Sequence, residues 1–191
     1  MELGYWGIKG AAETTRLVAA YLGVEYKEYN PATREEWFER KFTLGFDFPN
    51  LPYLIDGDVK LTESKALPVY VILKSKRGDL LGKTDNDKVQ LMVVSGVLDD
   101  ISQALRSVHG NPDPVAALNS KTTDVIKPKF DYLNKFIGDK QFVLGDLTLI
   151  DFVLYTLNSA FSTYFTALGL ESPVSNYANI TKVIDNFEKL P

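Results

Sequence analysis

Residues 50–64, Asn50-Leu51-Pro52-Tyr53-Leu54-Ile55-Asp56-Gly57-Asp58-Val59-Lys60-Leu61-Thr62-Glu63-Ser64, constrain the fold more than any other stretch of the chain. Tyr53-Leu54-Ile55 and Val59-Lys60-Leu61 are short, largely apolar runs of strand length. Asp56-Gly57 between them predicts a tight type I′ hairpin, because both residues tolerate the positive φ it demands. Thr62-Glu63-Ser64 then reads as the start of a helix over 64–76, with hydroxyls able to cap free amides that also attract anions. Pro52 cannot donate to a ladder, which suits the first position of a strand. A cis Leu51-Pro52 bond would turn the Leu51 N–H and C=O outward, free to pair with an extended peptide. Only about 5–6% of X-Pro bonds are cis in folded proteins, so a trans bond is the ordinary alternative.

Ahead of this stretch, Leu3 to Trp6 reads as a short buried strand and 7–10 as a loop. Ala12, Leu17, Val18, Tyr21 and Leu22 fall at helical spacing, with Gly23 as the stop. Residues 24–29 alternate like a strand closed by Asn30-Pro31, and 35–42 predict a short helix carrying Trp37. Strand, helix, strand, helix, hairpin, helix makes an α/β unit with mixed strand pairing. Glycines between Arg77 and Thr84 mark a linker at 79–84, dividing a first domain at 1–78 from a second at 85–191. In the second, 87–108, 115–136 and 149–168 have helical patterns, and a shorter helix is expected at 180–187. Thr148-Leu149-Ile150-Asp151 opens the third long helix as a capping box with Asp in the usual Glu or Gln position.

The chain has 191 residues, enough for one large or two small domains. With 24% charged and 45% hydrophobic residues its balance is that of an ordinary globular protein. A net charge of −4 gives no electrostatic case for nucleic acid or an anionic membrane. The sequence has no signal peptide and no apolar run of membrane-spanning length, so a soluble cytoplasmic protein is the expectation. There is no Cys, and His109 is the single His. That removes disulfides, thiolate metal sites, a thiol nucleophile and most His-based triads, and no metal is expected. Thiol chemistry here would need a sulfur brought by the ligand.

Asn50 to Gly57, preceded by Lys41-Phe42-Thr43-Leu44-Gly45-Phe46-Asp47-Phe48-Pro49, closely resembles the glutathione transferases, the mu class in particular. Leu3-Gly4-Tyr5-Trp6-Gly7-Ile8-Lys9-Gly10 resembles the first strand and active-site loop of the same family, and the similarity runs, with gaps, over nearly the whole chain. The resemblance implies α/β plus all-α architecture. A thioredoxin-like βαβ-α-ββα domain would bind glutathione, and a C-terminal helical-bundle domain would border the acceptor-substrate site. It also implies a homodimer that conjugates the co-substrate glutathione to small hydrophobic electrophiles.

The resemblance assigns roles residue by residue. A free thiol has a pKa of about 8.5, and lowering it by about two units takes roughly 2.7 kcal/mol of thiolate stabilisation. Tyr5 matches the family's catalytic tyrosine, whose neutral hydroxyl donates a hydrogen bond to the anion; a half-buried strand tyrosine is the plain alternative. Leu51 would pair its backbone with the cysteinyl segment beside a cis Pro52. Ser64 would take the γ-glutamyl carboxylate, and Glu63, where the mu pattern has Gln, the ammonium. Arg34, Trp37 and Lys41 match positions that grip the glycine carboxylate, with Asn50 and Trp6 on the rim. Taken singly, the two cations read as a solvated helix face and Trp37 as core. Asp100 of the partner subunit would reach the γ-glutamyl ammonium, Asp99 being the alternative, although helix-face carboxylates are usually only solvated. His109 reads as a helix-end residue. Ile8, Ala11, Gln103 and Arg106 would border the acceptor site. Phe46 suits a local core beneath its loop, and Phe48 matches the aromatic wedge between subunits.

Three departures from the mu pattern weaken the acceptor half of the comparison. Residues 30–36 are shorter than the mu loop, no tyrosine stands near His109-Gly110, and no counterpart of the family's C-terminal tail follows Pro191. Glutathione-dependent isomerisation or peroxide reduction needs the same thiolate. A non-catalytic ligand-binding or structural relative is the reading from another class, and it would have no need of Tyr5.

Overall fold

Strands β1 (Glu2–Gly4), β2 (Lys27–Tyr29), β3 (Tyr53–Asp56) and β4 (Val59–Thr62) form one sheet in the order β2-β1-β3-β4. It belongs to the first of two units, Met1–Gly78, in a computed structural model that describes residues 1–191. β1 runs parallel to β2 and antiparallel to β3, which turns back into β4. Strand alternation sends the cross-strand partners Leu3 and Leu54 to one face, and Tyr29, Gly4 and Tyr53 to the other. Leu3 and Leu54 are fully buried, as are Val18 and Ala19 of α1 (Glu13–Tyr21) and Leu67, Val71 and Ile72 of α3 (Ala66–Lys74), two helices that pack on each other. On the other face, Trp37 of α2 (Arg34–Lys41) stacks on Tyr53, with ring centroids 5.9 Å apart and planes 18° from parallel. That stacking requires Gly4. A Cβ there would lie 2.1 Å from the Tyr53 ring, so only glycine lets the ring pass.

Local chemistry moved several expected boundaries. The hairpin loop is Gly57-Asp58, not Asp56-Gly57: Asp56 pairs with Val59 as the last residue of β3. Gly57 has φ +61 and Asp58 an ordinary backbone, the combination of a type II′ turn rather than I′. The Asp56 carboxylate is held by the Tyr70 hydroxyl (2.8 Å) and the Lys74 ammonium of α3. β1 ends at Gly4 rather than Trp6, although the Tyr5 N–H still donates to the Tyr29 carbonyl (3.0 Å). β2 keeps only Lys27–Tyr29 of the expected 24–29, matching the three residues β1 offers.

The expected helix over 64–76 begins at Ala66, without a side-chain cap. Glu63 takes φ +71, and its carbonyl accepts from the Ala66 N–H (2.9 Å), so Ser64 and Lys65 form a turn ahead of the helix.

The second unit, Asp79–Pro191, is helical. A 3-10 turn at Gly78–Leu81 buries Leu80, and Thr84 caps α4 (Asp85–Arg106) in a capping box with Asp87. The helix expected over 115–136 is interrupted: α5 (Pro114–Lys121) passes through a π turn, Thr122–Ile126, into α6 (Lys127–Ile137). Pro128 has no N–H, and in a regular helix its ring would press on the carbonyl four residues back, at Asp124. A wider turn relieves that conflict. α7 (Leu149–Ala167) packs against α4 and α8 (Ala178–Phe187) around buried Leu98, Ile101, Phe130, Leu154, Phe161 and Ile180. Phe130 meets Phe161 at 5.5 Å and Tyr177 at 5.3 Å between centroids.

The capping box at the start of α7 forms as the sequence indicates. Asp151 Oδ2 accepts from the Thr148 N–H (2.8 Å) and hydroxyl (3.2 Å), and Oδ1 from the Val143 N–H (2.8 Å). Asp151 is 1% exposed, and burial pushes its pKa up to about 6 against the bonds that favour the anion. Asp151→Asn turns one acceptor into a donor facing a buried N–H, and should cost about 1–3 kcal/mol in denaturant unfolding. Because the folded pKa is raised, this carboxyl's stabilising contribution is complete below about pH 4 and is lost as pH rises to about 6. The wild type should therefore exceed the variant by more at about pH 4.5 than at about pH 7. A gap that narrows on acidification would contradict this account.

Candidate active site

Tyr5 is the first residue beyond β1, and its hydroxyl accepts a hydrogen bond from the Ala11 backbone N–H at 3.1 Å. Gly10 permits the approach: with φ +46, a Cβ there would lie 2.7 Å from both the Tyr5 ring edge and its oxygen. Ala11 belongs to the 3-10 turn Gly10–Ala12 that leads into α1, so the hydroxyl sits at the positive end of that helix. An oxygen that accepts from an N–H retains its own proton to donate elsewhere. The loop is also held by Arg16 of α1, whose Nη1 donates to the carbonyls of Ile8 (2.9 Å) and Lys9 (3.0 Å). Arg16 Nε donates to Glu28 Oε1 at 2.5 Å and holds that carboxyl below the usual range. Sequence reasoning missed Arg16, because no local pattern ties a mid-helix arginine to carbonyls several residues earlier.

The Leu51-Pro52 bond is cis. Pro52 is buried, Leu51 half-buried and Asn50 exposed. Leu51 and Trp6 pack against one aromatic cluster built from Trp37, Phe46 and Tyr53. The structure thus brings Trp6, Trp37 and Leu51 together, distant as they are in sequence. Trp37 is 4% exposed and is a core residue as much as a rim residue. Glu63 is exposed at φ +71, a region that costs a non-glycine residue about 1–3 kcal/mol and that recurs at ligand clamps. Ser64 beside it is half-buried. On α2, Arg34 is exposed, and the Lys41 ammonium lies 5.4 Å from the ring centroids of both Phe38 and Phe42. Thr33 caps this helix, accepting from the Glu36 N–H at 3.2 Å.

The second unit carries the remaining expected residues. Asp100 on α4 accepts from Lys129 Nζ at 2.7 Å, so its carboxylate already has a cation within its own chain. Gln103 and Arg106 are exposed near the end of α4, and Arg106 Nη1 donates to Ser102 Oγ at 2.7 Å. His109 stands 6.4 Å from the Tyr164 ring. In the first unit, Ile8 and Ala11 are exposed on the loop after Tyr5. Phe46 is 8% exposed within the aromatic cluster, whereas Phe48 is 75% exposed. No three acidic or His side chains converge as a metal-holding group, and no helix is long and apolar enough to cross a membrane.

A thioredoxin-like sheet followed by a helical unit, with a tyrosine at the end of the first strand and a cis proline before the third, defines a class that the comparisons name. Residues 1–72 match the glutathione S-transferase N-terminal domain family. The chain is 33% identical over 163 residues to glutathione S-transferase Mu 4 of Homo sapiens, covering 81% of this chain and 73% of that protein. It is 34% identical over 205 residues to a glutathione S-transferase of Tyrophagus putrescentiae, covering 99% and 85%. The crystal structure of the glutathione S-transferase Blo t 8 superimposes with a TM-score of 0.80 at 29% identity, covering 100% of this chain and 88% of that one. The chain belongs to the glutathione S-transferase family, its relatives being mu-class enzymes, and it is a glutathione transferase with glutathione as co-substrate.

Trp6 and Trp37 are the only tryptophans; Trp37 belongs to the aromatic cluster and Trp6, like Leu51, packs against it. Titration with glutathione should therefore change intrinsic fluorescence saturably. A flat titration, with binding verified by calorimetry, would place glutathione away from both indoles.

Proposed function

We propose that the enzyme conjugates the glutathione thiolate to small hydrophobic electrophiles, with the Tyr5 hydroxyl donating a hydrogen bond to the sulfur. The observation that carries this reading is the Ala11 N–H on the Tyr5 oxygen. It occupies an acceptor lone pair, polarises the hydroxyl and leaves its proton free for an anion. The thiol proton leaves to solvent, the sulfur forms the new bond to carbon, and the displaced electron pair departs with the leaving group or, in an addition, remains on the acceptor and is protonated by solvent.

Leu51, presented beside cis Pro52, would pair its backbone N–H and C=O with the cysteinyl segment. Ser64 would hold the γ-glutamyl carboxylate and the strained Glu63 the ammonium. Arg34, Trp37 and Lys41 would grip the glycine end, with Asn50 and Trp6 at the rim. Ile8, Ala11, Gln103 and Arg106 would border the acceptor. Asp100 of the partner subunit would exchange Lys129 for the γ-glutamyl ammonium.

Tyr5→Phe should preserve the fold and most glutathione affinity, and lower turnover with an aryl halide by roughly 10- to 100-fold, the scale of one charge-assisted hydrogen bond. Unchanged turnover would remove Tyr5 from this role.

Exposure of Phe48 beside the buried Phe46 fits a wedge used twice in a two-fold homodimer. Phe48→Ser should shift the protein toward monomer in sedimentation, since truncating a buried Phe costs about 3–5 kcal/mol. A wild-type protein that sediments as a monomer at micromolar concentration would contradict the dimer.

A further inference from the structure

Glu2 and Arg40 stand outside the site described above, yet they join the sheet to the helix that carries Arg34 and Lys41. Glu2 Oε1 accepts from the Tyr53 hydroxyl (2.6 Å) and from Arg40 Nη2 (2.7 Å). The Arg40 guanidinium lies over the Tyr29 ring, 4.0 Å from its centroid, and its Nε is buried without a hydrogen-bond partner. Tyr29 in turn donates to Glu36 Oε1 (3.0 Å), whose other carboxylate oxygen accepts the Ala32 N–H (2.8 Å). Glu2, Tyr29 and Tyr53 belong to strands, and Glu36 and Arg40 to α2, so the network ties both ends of that helix to the sheet.

α2 has only eight residues and buries one of them, Trp37. A helix so short is marginal by itself, and its orientation rests on the few contacts it makes. Helical geometry places Arg40 about 60° to one side of Trp37, and Arg34 and Lys41 roughly 40–60° to the other. Any rotation of α2 that parts Arg40 from Glu2 therefore displaces Arg34 and Lys41 as well. The contacts are strong in kind: a charge-assisted pair, a hydroxyl-to-carboxylate bond and a cation over an aromatic face.

We propose that Glu2 and Arg40 are positioning residues for the glycine end of glutathione, fixing α2 so that Arg34 and Lys41 meet the glycine carboxylate. This rests on the reading of α2 as the glycine grip. Neither residue touches the ligand, and both act through the helix. Their effect is confined to the part of the ligand that α2 contacts.

Calorimetric titration with glutathione and with γ-glutamylcysteine, which lacks only the glycine, separates these roles. Arg40→Met keeps the aliphatic stem and should weaken glutathione by about five- to tenfold while leaving γ-glutamylcysteine within about twofold. Glu2→Gln keeps an acceptor for the Tyr53 hydroxyl and should act in the same direction, less strongly. Arg40→Lys should recover part of the loss. In kinetics, KM for glutathione should rise with kcat at saturating glutathione unchanged. Equal weakening of both ligands would make the pair merely structural, and weakening of neither would make it idle; either result overturns the proposal. A wild-type protein that binds the two ligands equally would overturn the glycine grip itself, and the positioning role with it.

Discussion

The Tyr53 ring lies across Gly4, and the first unit is arranged around that contact. Tyr29, Trp37 and Phe46 close on the ring at centroid distances of 6.3, 5.9 and 5.1 Å, and its hydroxyl is spent on Glu2. Burial, reinforced by the Glu2 carboxylate, raises the Tyr53 pKa well above the ordinary tyrosine value, so the phenol remains a donor. Each flank of the contact leads directly to the site. Gly4 precedes Tyr5, and Pro52 with its cis bond precedes Tyr53. A side chain at residue 4 would displace the ring, and overpacking of this kind typically costs about 1–3 kcal/mol. Here it would also shift Tyr5 and Pro52, which adjoin Gly4 and Tyr53 in the chain.

The chemistry asked of the site is modest in energy and strict in placement. Depressing a thiol pKa by about two units takes roughly 2.7 kcal/mol, and a hydrogen bond to a charged group contributes about 1.5–3 kcal/mol. One well-aimed hydroxyl is therefore of the right size. The chain offers no thiol of its own, and its single His stands in the second unit. The net charge of −4 opposes an anion at long range, so local groups must do the work. The start of α1 and the Ala11 N–H on the Tyr5 oxygen are such local groups.

Much of this fold was legible because its signals are local. Short apolar runs on either side of a turn located β3 and β4, helical spacing located α1, α4 and α7, and Thr148 with Asp151 announced the capping box. The misplacements have identifiable causes. The hairpin loop fell one residue late because Asp56 is claimed by Tyr70 and Lys74, partners 14 and 18 residues away. The start of α3 was set by the backbone of Glu63 rather than by the Ser64 hydroxyl. Periodicity over 115–136 hid the π turn, although Pro128 was in plain view. Site residues were legible mainly through family resemblance, since nothing in Tyr5 alone separates it from nine other tyrosines. Arg16, Glu2 and Arg40 escaped because their partners are carbonyls, rings or residues up to 51 positions away.

If a sheet pinned at Gly4 and Tyr53 presents the Tyr5 hydroxyl to a bound thiol, as proposed, the thiol must ionise more readily than in water. The direct measurement is the ultraviolet absorbance of the thiolate of glutathione bound to the wild-type enzyme, titrated against pH. Ionisation centred about two units below the free-thiol value of roughly 8.5 is the predicted result. A bound thiol that ionises at the free-thiol value would contradict the account, because the site would then bind glutathione without activating it.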